Sequence, residues 1–310
     1  MIFEEGLIYD SKNLDLDGMR EYAKEWNKEW SLLESGEFQG RIVAVHTVNM
    51  QLGLTTYSLP VEIVGSYPEG TVLIFFLQQA SQSTVYKKLK IENDDVAIIS
   101  SQEEINFLSS GESSVVTLSV EKSLFFEEFR SFFDQESLEI LPQQKFKIVN
   151  GGGKKSLSEI VTEKILSLQD RNEMEKIDLH KLEKEMLNTL FTHIKLEKLP
   201  QEHSRFDITK VRDYLKENFE DEISIEQIAK ELSISKRQLH DRFRSFYGLT
   251  PKKYLQVLRL HEVHKILLSS TTESTTVSEI AFKYGFRHLS FFTQEYKKLF
   301  NELPSESLKR

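Results

Sequence analysis

Residues 276–300 of the chain, TVSEIAFKYGFRHLSFFTQEYKKLF, decide the fold of its C-terminal third. Thr276, followed three positions later by Glu279, forms the capping-box pattern that starts a helix. Gly285 stands where a short helix would end, and apolar residues then recur every three or four positions, as on one face of a second helix. The stretch therefore predicts two helices joined by a tight turn, which is a helix-turn-helix unit.

The same pattern occurs once more, nearer to the middle of the chain. Residues 224–229, SIEQIA, parallel residues 276–281, TVSEIA. A weak repeat of this kind predicts two copies of one structural unit, at about 224–247 and 276–300. The apolar residues expected to face inward are Ile228, Ala229, Leu232, Leu239, Phe243 and Phe246 in the first copy, and Phe292, Tyr296 and Leu299 in the second.

A long helix is expected between the two copies. Gly248 and Asn301 are the residues that tolerate a left-handed helix cap, and each follows the second helix of its copy. Thr250 then provides an N-cap and Pro251 a first helical position, opening a helix that runs to about Leu268. Eighteen residues at about 1.5 Å each give roughly 27 Å. Since major grooves on one face of B-DNA recur about every 34 Å, such a rod could hold both copies on one duplex.

The second helix of each copy has a polar face of the kind that enters a major groove. Amide, imidazole and guanidinium groups can contact base edges, and basic side chains can also neutralise phosphates. The candidate DNA-binding residues are Lys236, Arg237, Gln238, His240, Asp241 and Arg244 in the first copy, and Arg287, His288, Ser290, Phe291, Gln294 and Lys297 in the second.

At these residues the chain resembles the AraC/XylS family of bacterial transcription regulators. The resemblance is carried by residues 278–286, SEIAFKYGF, by Phe292, by residues 296–300, YKKLF, and by residues 304–306, PSE; the pair Arg259-Leu260 in the connecting helix fits as well. It covers about the last hundred residues in the family's order and spacing. Residues 285–289, GFRHL, together with Trp30, Leu33, Gly36, Phe38 and Gly40, further resemble the branch that contains the ethanolamine-utilisation regulator.

The resemblance implies an N-terminal sensing and dimerisation domain, a C-terminal domain that binds double-stranded DNA, and control of nearby genes by recruiting RNA polymerase. Activation is expected rather than repression, although the sequence leaves the sign of regulation open. It places base-reading residues at Arg237, His240 and Asp241 in the first copy, and at Ser290, Phe291 and Gln294 in the second. Two positions depart from the family pattern. Asp241 puts a carboxylate where a basic or amide residue is common, and Gln294 stands where arginine is frequent, so the target sequence is not predicted.

Charge divides the chain in the same way. The whole sequence contains 40 Lys and Arg residues against 49 Asp and Glu, a net charge of −9. Residues 205–310 nevertheless hold 19 basic and 15 acidic residues, so the deficit lies entirely in the N-terminal part. A basic module attached to an acidic body is typical of a nucleic-acid-binding protein with a separate regulatory part.

The N-terminal two thirds have a different pattern. A helix is predicted over residues 17–33 with Asp17 as N-cap, then short strands over about 37–120, and then helices over about 121–198, of which one runs from Leu124 through Phe133. Strands at this spacing predict a small antiparallel barrel. The predicted fold class is therefore α+β: a cupin-like β-barrel with flanking helices, followed by an all-α domain of two helix-turn-helix units joined by a long helix.

The predicted domains are an effector-sensing and dimerisation domain over 1–200, a linker over 201–206 and an AraC-type DNA-binding domain over 207–310. The linker lies in a polar, proline-marked stretch without periodicity. An apolar stripe spans residues 179–194, and core packing and a seam between two copies of the chain both remain open for it. Its members are Leu179, Leu182, Met186, Leu190 and Ile194.

Several function classes are disfavoured. The chain contains no cysteine, which excludes disulfides, thiolate nucleophiles and cysteine-ligated metals. His46 is the one histidine before His180, so the barrel lacks the clustered ligands of a cupin metal site. We therefore expect no catalytic residues, no metal and no cofactor. Apolar runs too short for a bilayer and an acidic N-terminus predict a cytoplasmic protein without a membrane segment.

Regulation is expected to act through the N-terminal part. The predicted pocket for a small-molecule effector includes Trp26, Trp30, His46 and Tyr57, and a homodimer is expected. An alternative is a regulator that responds to a protein partner and binds no small molecule. A third reading, an enzyme with an appended DNA-binding domain, lacks the required residues.

Overall fold

The computed structural model divides the chain into two compact units, comprising residues 1–30, 38–58 and 63–202, and residues 31–37, 59–62 and 203–310. The residues that the structure describes are 3–23, 27–80, 84–86, 89–93, 95–100, 104–109, 111–141, 144–148, 155–198, 208–271 and 275–308.

Antiparallel strands dominate the N-terminal part, as predicted. One sheet has eight strands in the order β1-β3-β4-β11-β6-β9-β12-β13, and a second has five in the order β2-β5-β10-β7-β8. Whether these sheets close as a barrel stays a prediction. The strands are β1 Ile8–Leu14, β2 Lys28–Leu32, β3 Gly40–His46, β4 Met50–Tyr57, β5 Val61–Gly65, β6 Thr71–Ala80, β7 Thr84–Tyr86, β8 Leu89–Ile91, β9 Asp95–Ser100, β10 Ile105–Ser109, β11 Ser113–Glu121, β12 Gln144–Ile148 and β13 Ile194–Lys198.

Both faces of the eight-stranded sheet are covered. Alternate residues such as Val116, Leu118 and Val120 join a core cluster with the helices that pack on one face. The opposite face meets the five-stranded sheet, where Phe75 of β6 packs edge-to-face on Phe107 of β10 with ring centroids 5.7 Å apart. Because strands buried on both faces have no polar side, β3 and β6 show continuous apolar runs.

The described residues of this part of the chain form six helices. They are α1 Leu16–Ala23, α2 Lys122–Phe129, α3 Gln135–Ile140, α4 Leu157–Ser167, α5 Arg171–Met174 and α6 Leu179–His193. Helix α4 begins with a complete capping box, in which Ser156 and Glu159 bond each other's backbone N–H groups. The expectation of one helix through Phe133 was wrong, because α2 ends at Phe129 and a turn precedes α3.

The predicted helix over residues 17–33 is also wrong in its second half. Helix α1 ends at Ala23, and Trp30 lies on strand β2. Asn27 adopts a left-handed conformation with φ of 46°, which starts a new direction of the chain. At the other end, Asp15 rather than Asp17 accepts the hydrogen bond from the backbone N–H of Gly18, at 2.8 Å.

The apolar stripe of α6 packs in the interior of its own unit. Leu182 and Leu190 are buried, and both belong to the core cluster that includes the strands and helix α4. Glu183, on the same helix, accepts hydrogen bonds from Thr47 Oγ1 and from the backbone N–H of Asn49, each at 2.6 Å. This part of the stripe is therefore core, and its last predicted member, Ile194, begins strand β13 instead.

The C-terminal part is helical from residue 209 onward. Its helices are α7 Thr209–Glu217, α8 Ile225–Glu231, α9 Lys236–Tyr247, α10 Pro251–Ser269, α11 Val277–Lys283, α12 Leu289–Phe300 and α13 Pro304–Ser307. Two helix pairs, α8–α9 and α11–α12, flank the long helix α10. The predicted linker over 201–206 lies outside the described residues.

Candidate nucleic-acid interface

Serine hydroxyl groups cap the N-termini of both helices in the first pair. Ser224 accepts from the backbone N–H of Gln227 at 3.3 Å and begins α8. Ser235 begins α9 with a complete capping box: its Oγ accepts from Gln238 N at 3.1 Å, while its own N–H donates to Gln238 Oε1 at 2.9 Å. Gly248 ends α9 in the left-handed region with φ of 74°. Both ends of this helix are therefore fixed by local hydrogen bonding.

The second pair repeats the hydroxyl cap of the first helix and the left-handed end of the second helix. Thr276 and Glu279 form a capping box at the start of α11, with the Thr276 N–H donating to Glu279 Oε2 at 2.8 Å. Asn301 ends α12 in the left-handed region with φ of 58°. Asparagine tolerates this conformation better than most residues. The left-handed caps predicted at Gly248 and Asn301 are thus both present.

The two turns have the same conformation although their residues differ. Ser233 has φ of 54° and Gly285 has φ of 80°. In the first turn the N–H of Ile234 donates to the carbonyl of Ala229 at 3.0 Å, and in the second the N–H of Phe286 donates to Ala281, also at 3.0 Å. Equivalent bonds at equivalent positions make the two pairs copies of one helix-turn-helix geometry.

The inward faces of the second helices are apolar, as predicted at most positions. Phe243 of α9 and Phe292 of α12 are fully buried. Phe246 is only half-buried, which corrects the prediction, and the adjacent Tyr247 is buried instead. Phe291 is 52% exposed beside the buried Phe292, so the rings of these two neighbours lie on opposite sides of α12.

Arg259, on helix α10, hydrogen-bonds the segment before α8 and contacts the turn that follows α11. The Arg259 Nε donates to the carbonyl of Phe219 at 2.8 Å, and its Nη2 donates to the carbonyl of Asp221 at 2.7 Å. Its guanidinium also lies against the second turn, since a Cβ placed on Gly285 would come within 2.9 Å of Arg259 Nη1. One side chain thus contacts the entry to the first pair and the turn of the second.

A buried polar chain ties α12 to α10 and α13. The Tyr296 hydroxyl lies 2.6 Å from His264 Nδ1 and 2.6 Å from Ser307 Oγ. The His264 ring also stacks on Phe300 at 4.0 Å between centroids. Buried polar groups that satisfy one another in this way fix a single packing arrangement.

The outward face of α9 presents most of the candidates predicted for it. Arg237 and Asp241 are highly exposed, and Arg237 Nε lies 3.7 Å from Asp241 Oδ2. Gln238 and Arg244 are exposed as well. Lys236 is exposed and forms an ion pair with Glu226 of α8.

His240 differs from the other candidates on α9. It is half-buried, and its Nε2 atom is buried without a hydrogen-bond partner among the described residues. Arg242, which the sequence reasoning did not select, is exposed on the same helix. No motif in the repeat distinguishes Arg242 from the other basic residues, so the sequence alone does not single it out.

The candidates on and before α12 are all exposed. Arg287 pairs with Glu222 at 3.0 Å, and His288 precedes the helix without a side-chain capping bond. Such surface ion pairs contribute little to stability and can exchange for other partners. The remaining exposed candidates are Ser290, Phe291, Gln294 and Lys297.

Glu295, on α12, has a role that the sequence did not predict. Its carboxylate accepts from Lys253 Nζ at 2.6 Å, from Lys298 Nζ at 2.8 Å and from Gln256 Nε2 at 3.1 Å. Hydrogen bonds from the two ammonium groups lower the pKa of Glu295 to about 2. Since Lys253 and Gln256 lie in the first two turns of α10, this carboxylate connects α12 to α10.

The predicted effector-pocket residues are placed as follows. Trp30 and Tyr57 line a cavity of the first unit. His46 lies at the end of β3, where its Nδ1 accepts from the backbone N–H of Glu4 at 3.3 Å and its ring packs edge-to-face on Phe3. Trp26 lies outside the described residues.

The described residues contain neither a metal-binding cluster nor a membrane-spanning helix. Among these residues, no group of three or more histidine, aspartate or glutamate side chains could hold a metal ion. Within the same ranges, every helix is too short or too polar to cross a bilayer.

The sequence and fold match known proteins mainly through the C-terminal part. Residues 228–310 match the family model described as a helix-turn-helix domain. The chain is 32% identical over 123 residues to the XylDLEGF operon transcriptional activator 2 of Pseudomonas putida, which covers 40% of this chain and 77% of that protein. It is 34% identical over 101 residues to another XylDLEGF operon transcriptional activator of Pseudomonas putida, but spans only 32% of that protein.

A solved structure shows the same similarity. The crystal structure of a probable AraC family transcriptional regulator from Rhodopseudomonas palustris CGA009 is 32% identical, covering 33% of this chain and 93% of that one, with a TM-score of 0.31. The narrower resemblance to the ethanolamine branch stays a prediction.

We expect Gly285→Ala to destabilise the chain by about 1–3 kcal/mol, because an L-residue is strained at this positive φ and its Cβ would displace Arg259. The measurement is urea unfolding of the full chain. Ser233→Ala is the matched control, since that turn already holds an L-residue at the same conformation, and it should change stability by less than about 0.5 kcal/mol. Equal effects of the two substitutions would show that the contact between Gly285 and Arg259 does not make the second turn more sensitive than the first.

We expect Glu295→Gln to lower the free energy of unfolding by about 2–3 kcal/mol at pH 7. The pKa of Glu295 is about 2 in the folded chain against 4.5 ordinarily, so its stabilisation is complete above pH 4.5 and is lost as the pH falls toward 2. Urea unfolding of both proteins at a series of pH values should show their difference shrinking over that window. Glu231→Gln, at an exposed position, is the control; a difference that stays constant with pH would refute the role of the carboxylate.

Proposed function

Because the chain belongs to the AraC/XylS family of transcriptional regulators, we propose that it activates transcription by binding a specific DNA sequence with its two helix-turn-helix pairs. The observation that carries this proposal is the duplication: two pairs with the same left-handed C-caps and the same turn bonds each present an exposed second helix. The relatives named as operon activators support the activating role. In this proposal, α9 and α12 enter successive major grooves of one duplex.

The length of α10 supports simultaneous binding. Its 19 residues correspond to about 28 Å of helix, close to the roughly 34 Å that separates major grooves on one face of B-DNA. Arg259 and Glu295 hold this helix to the segments around it, so the spacing is set before DNA is bound. A preformed spacing favours two-site binding because little ordering is needed on association.

The exposed side chains divide by chemistry into two groups. Arg244 and Lys297 occupy equivalent positions in the last turns of α9 and α12, and as cations they would neutralise phosphates. Arg237 and Gln294 lie nearer the N-terminal parts of the same helices, where side chains reach base edges. Asp241, which lies beside Arg237, would repel phosphate and could accept from the cytosine N4 amino group.

The N-terminal unit is proposed to control this activity by binding a small molecule, with the chain acting as a homodimer that recruits RNA polymerase. The proposal of a small-molecule ligand is supported by a cavity between the two sheets, which Trp30 and Tyr57 line. The alternative is control by a protein partner that contacts the N-terminal unit. A thermal-shift screen of small metabolites distinguishes the two, because a ligand that binds the folded state raises the unfolding temperature.

We expect Arg244→Ala and Lys297→Ala each to weaken binding to all DNA sequences and to lower the slope of log Kd against log salt by about one unit. The measurement is a fluorescence-anisotropy titration with promoter fragments at several salt concentrations. Lys181→Ala, an exposed lysine on α6, is the control and should leave the slope unchanged. An unchanged slope in both recognition-helix variants would show that these positions do not contact phosphate.

Arg237→Ala and Gln294→Ala are expected to alter sequence preference rather than overall affinity. Each should relax the choice at one or two base pairs, by about 1–3 kcal/mol per pair, because the lost contact distinguishes one base from another. Selection from randomised sites, with the wild-type chain in parallel, measures this change. Identical preference profiles for variant and wild type would assign base reading to other residues.

A further inference from the structure

Two short segments from the N-terminal half of the chain belong to the compact unit that contains both helix-turn-helix pairs. They are Ser31–Glu37 and Leu59–Glu62, and they join residues 203–310 in that unit. The segments are neighbours, since the backbone N–H of Leu33 donates to the carbonyl of Pro60 at 3.0 Å. The unit that carries the candidate DNA-binding residues therefore extends beyond the predicted DNA-binding domain.

Glu62, at the end of the second segment, is a buried carboxylate with partners on two helices. Its side chain is 2% exposed. Lys216 Nζ of α7 lies 2.9 Å from Glu62 Oε1, and the Tyr254 hydroxyl of α10 donates to Glu62 Oε2 at 2.8 Å. Burial and the negative charge of Glu62 raise the pKa of Tyr254 well above its ordinary value, so this phenol remains a donor at neutral pH. Since a buried carboxylate is costly without a cation and hydrogen bonds, these two partners keep Glu62 in place.

The Tyr254 ring connects this carboxylate to α9. It packs edge-to-face on Phe243 with ring centroids 5.6 Å apart, and it stacks on Tyr247 at 6.0 Å. Phe243 and Tyr247 are buried residues on the inner face of α9. The hydrogen bond from Tyr254 to Glu62 therefore fixes the ring against which α9 packs, while Lys216 ties the same carboxylate to α7.

The two segments contact one side of α10. His261 Nε2 lies 2.8 Å from the Leu32 carbonyl oxygen. His261 follows Tyr254 by seven residues, which is about two helical turns, so both side chains lie on the same side of the helix. Arg259 follows Tyr254 by five residues and projects roughly 140° away around the helix axis. The Glu62 and Leu32 contacts therefore hold α10 without competing with those of Arg259.

We propose that Glu62 is a positioning residue for DNA binding, which fixes α9 relative to α10 through Tyr254 and Lys216. The inference rests on the proposed function, because the spacing of α9 and α12 matters for binding only if both helices contact one duplex. Without the carboxylate, the buried Tyr254 hydroxyl loses this acceptor, and its ring moves to find another. Helix α9 then loses a fixed partner for its inner face, whereas α12 keeps its contact with α10 through Glu295. The buried contact thus selects one packing arrangement, whatever it adds to stability.

The test measures the distance between α9 and α12 in the full chain by double electron–electron resonance. The chain contains no cysteine, so spin labels can be attached through Ser245→Cys on α9 and Ser290→Cys on α12, both at exposed positions. We expect one narrow distance distribution in the wild-type background and a shifted or broader one with Glu62→Ala. Tyr254→Phe, which removes the hydroxyl and keeps the ring, should have the same effect. Glu62→Gln should keep the narrow distribution, because its amide oxygen can still accept from Tyr254.

Glu69→Ala is the matched control, since Glu69 is an exposed glutamate of the same half of the chain and should leave the distribution unchanged. A reference pair of labels at Lys265→Cys on α10 and Ser290→Cys on α12 should give the same distance with and without the Glu62 carboxylate. An unchanged α9–α12 distribution in Glu62→Ala or in Tyr254→Phe overturns the proposal, as does an equal change in the reference pair. If Glu62→Ala fails to fold, Tyr254→Phe decides the question, because it removes a single oxygen atom.

DNA binding is measured on the same chains without labels. We expect Glu62→Ala to weaken binding to promoter DNA about tenfold and Glu69→Ala to bind as the wild type does. Full DNA affinity in a Glu62→Ala chain whose α9 has moved would also overturn the proposal. A wild-type chain that binds promoter DNA, while its Glu62→Ala variant keeps the α9–α12 distance, loses only this inference. A chain whose helices move as expected but whose wild type binds no DNA loses the proposed function instead.

Discussion

The contact on which the C-terminal unit depends is made by Arg259. Its guanidinium donates to the carbonyls of Phe219 and Asp221 and packs against Gly285. Arginine suits this position because its planar fork can satisfy two acceptors at once and it stays charged when half-buried, even though desolvation lowers its pKa. Because Arg259 lies on α10, it attaches both helix-turn-helix pairs to this one helix. The spacing between the pairs then follows from the length of α10.

The duplicated pairs show how one backbone geometry is reached with different residues. Ser233 and Gly285 adopt the same left-handed turn, and the turn at Gly285 lies against Arg259. The first turn therefore tolerates a side chain at a modest conformational cost, while the second requires the absence of one. Local hydrogen bonding specifies the turn, and the packing around it decides which residue can occupy it.

Local signals in the sequence were the most reliable guide to this fold. The caps at Thr276 and Ser156, the left-handed ends at Gly248 and Asn301, and the buried strand over Thr71–Ala80 all lie where short-range patterns indicated. These features depend on neighbours a few residues away, so they can be recognised without knowledge of tertiary contacts.

Features that depend on distant residues were missed. The periodicity that suggested a helix up to Leu33 also fits a strand over its last residues, and Asn27, with its left-handed backbone, directly precedes that strand. Strand β13 exists because it pairs with β12, which no local pattern shows. Glu295 gained its role only when folding brought Lys253 and Gln256 beside it. The exposed faces of α9 and α12 could be predicted, whereas the bonds that position those helices could not.

The register of the eight-stranded sheet determines which residues stand side by side in the wall of the cavity. Ala44, Gly53, Thr117 and Phe75 stand side by side on neighbouring strands, and all four line the cavity. Three small side chains in a row leave space that larger ones would occupy; a Cβ on Gly53 alone would meet Thr117 Oγ1 at 2.4 Å. Because these side chains take no part in the backbone ladder, single substitutions along this row could reshape the chamber while every strand pairing stays intact.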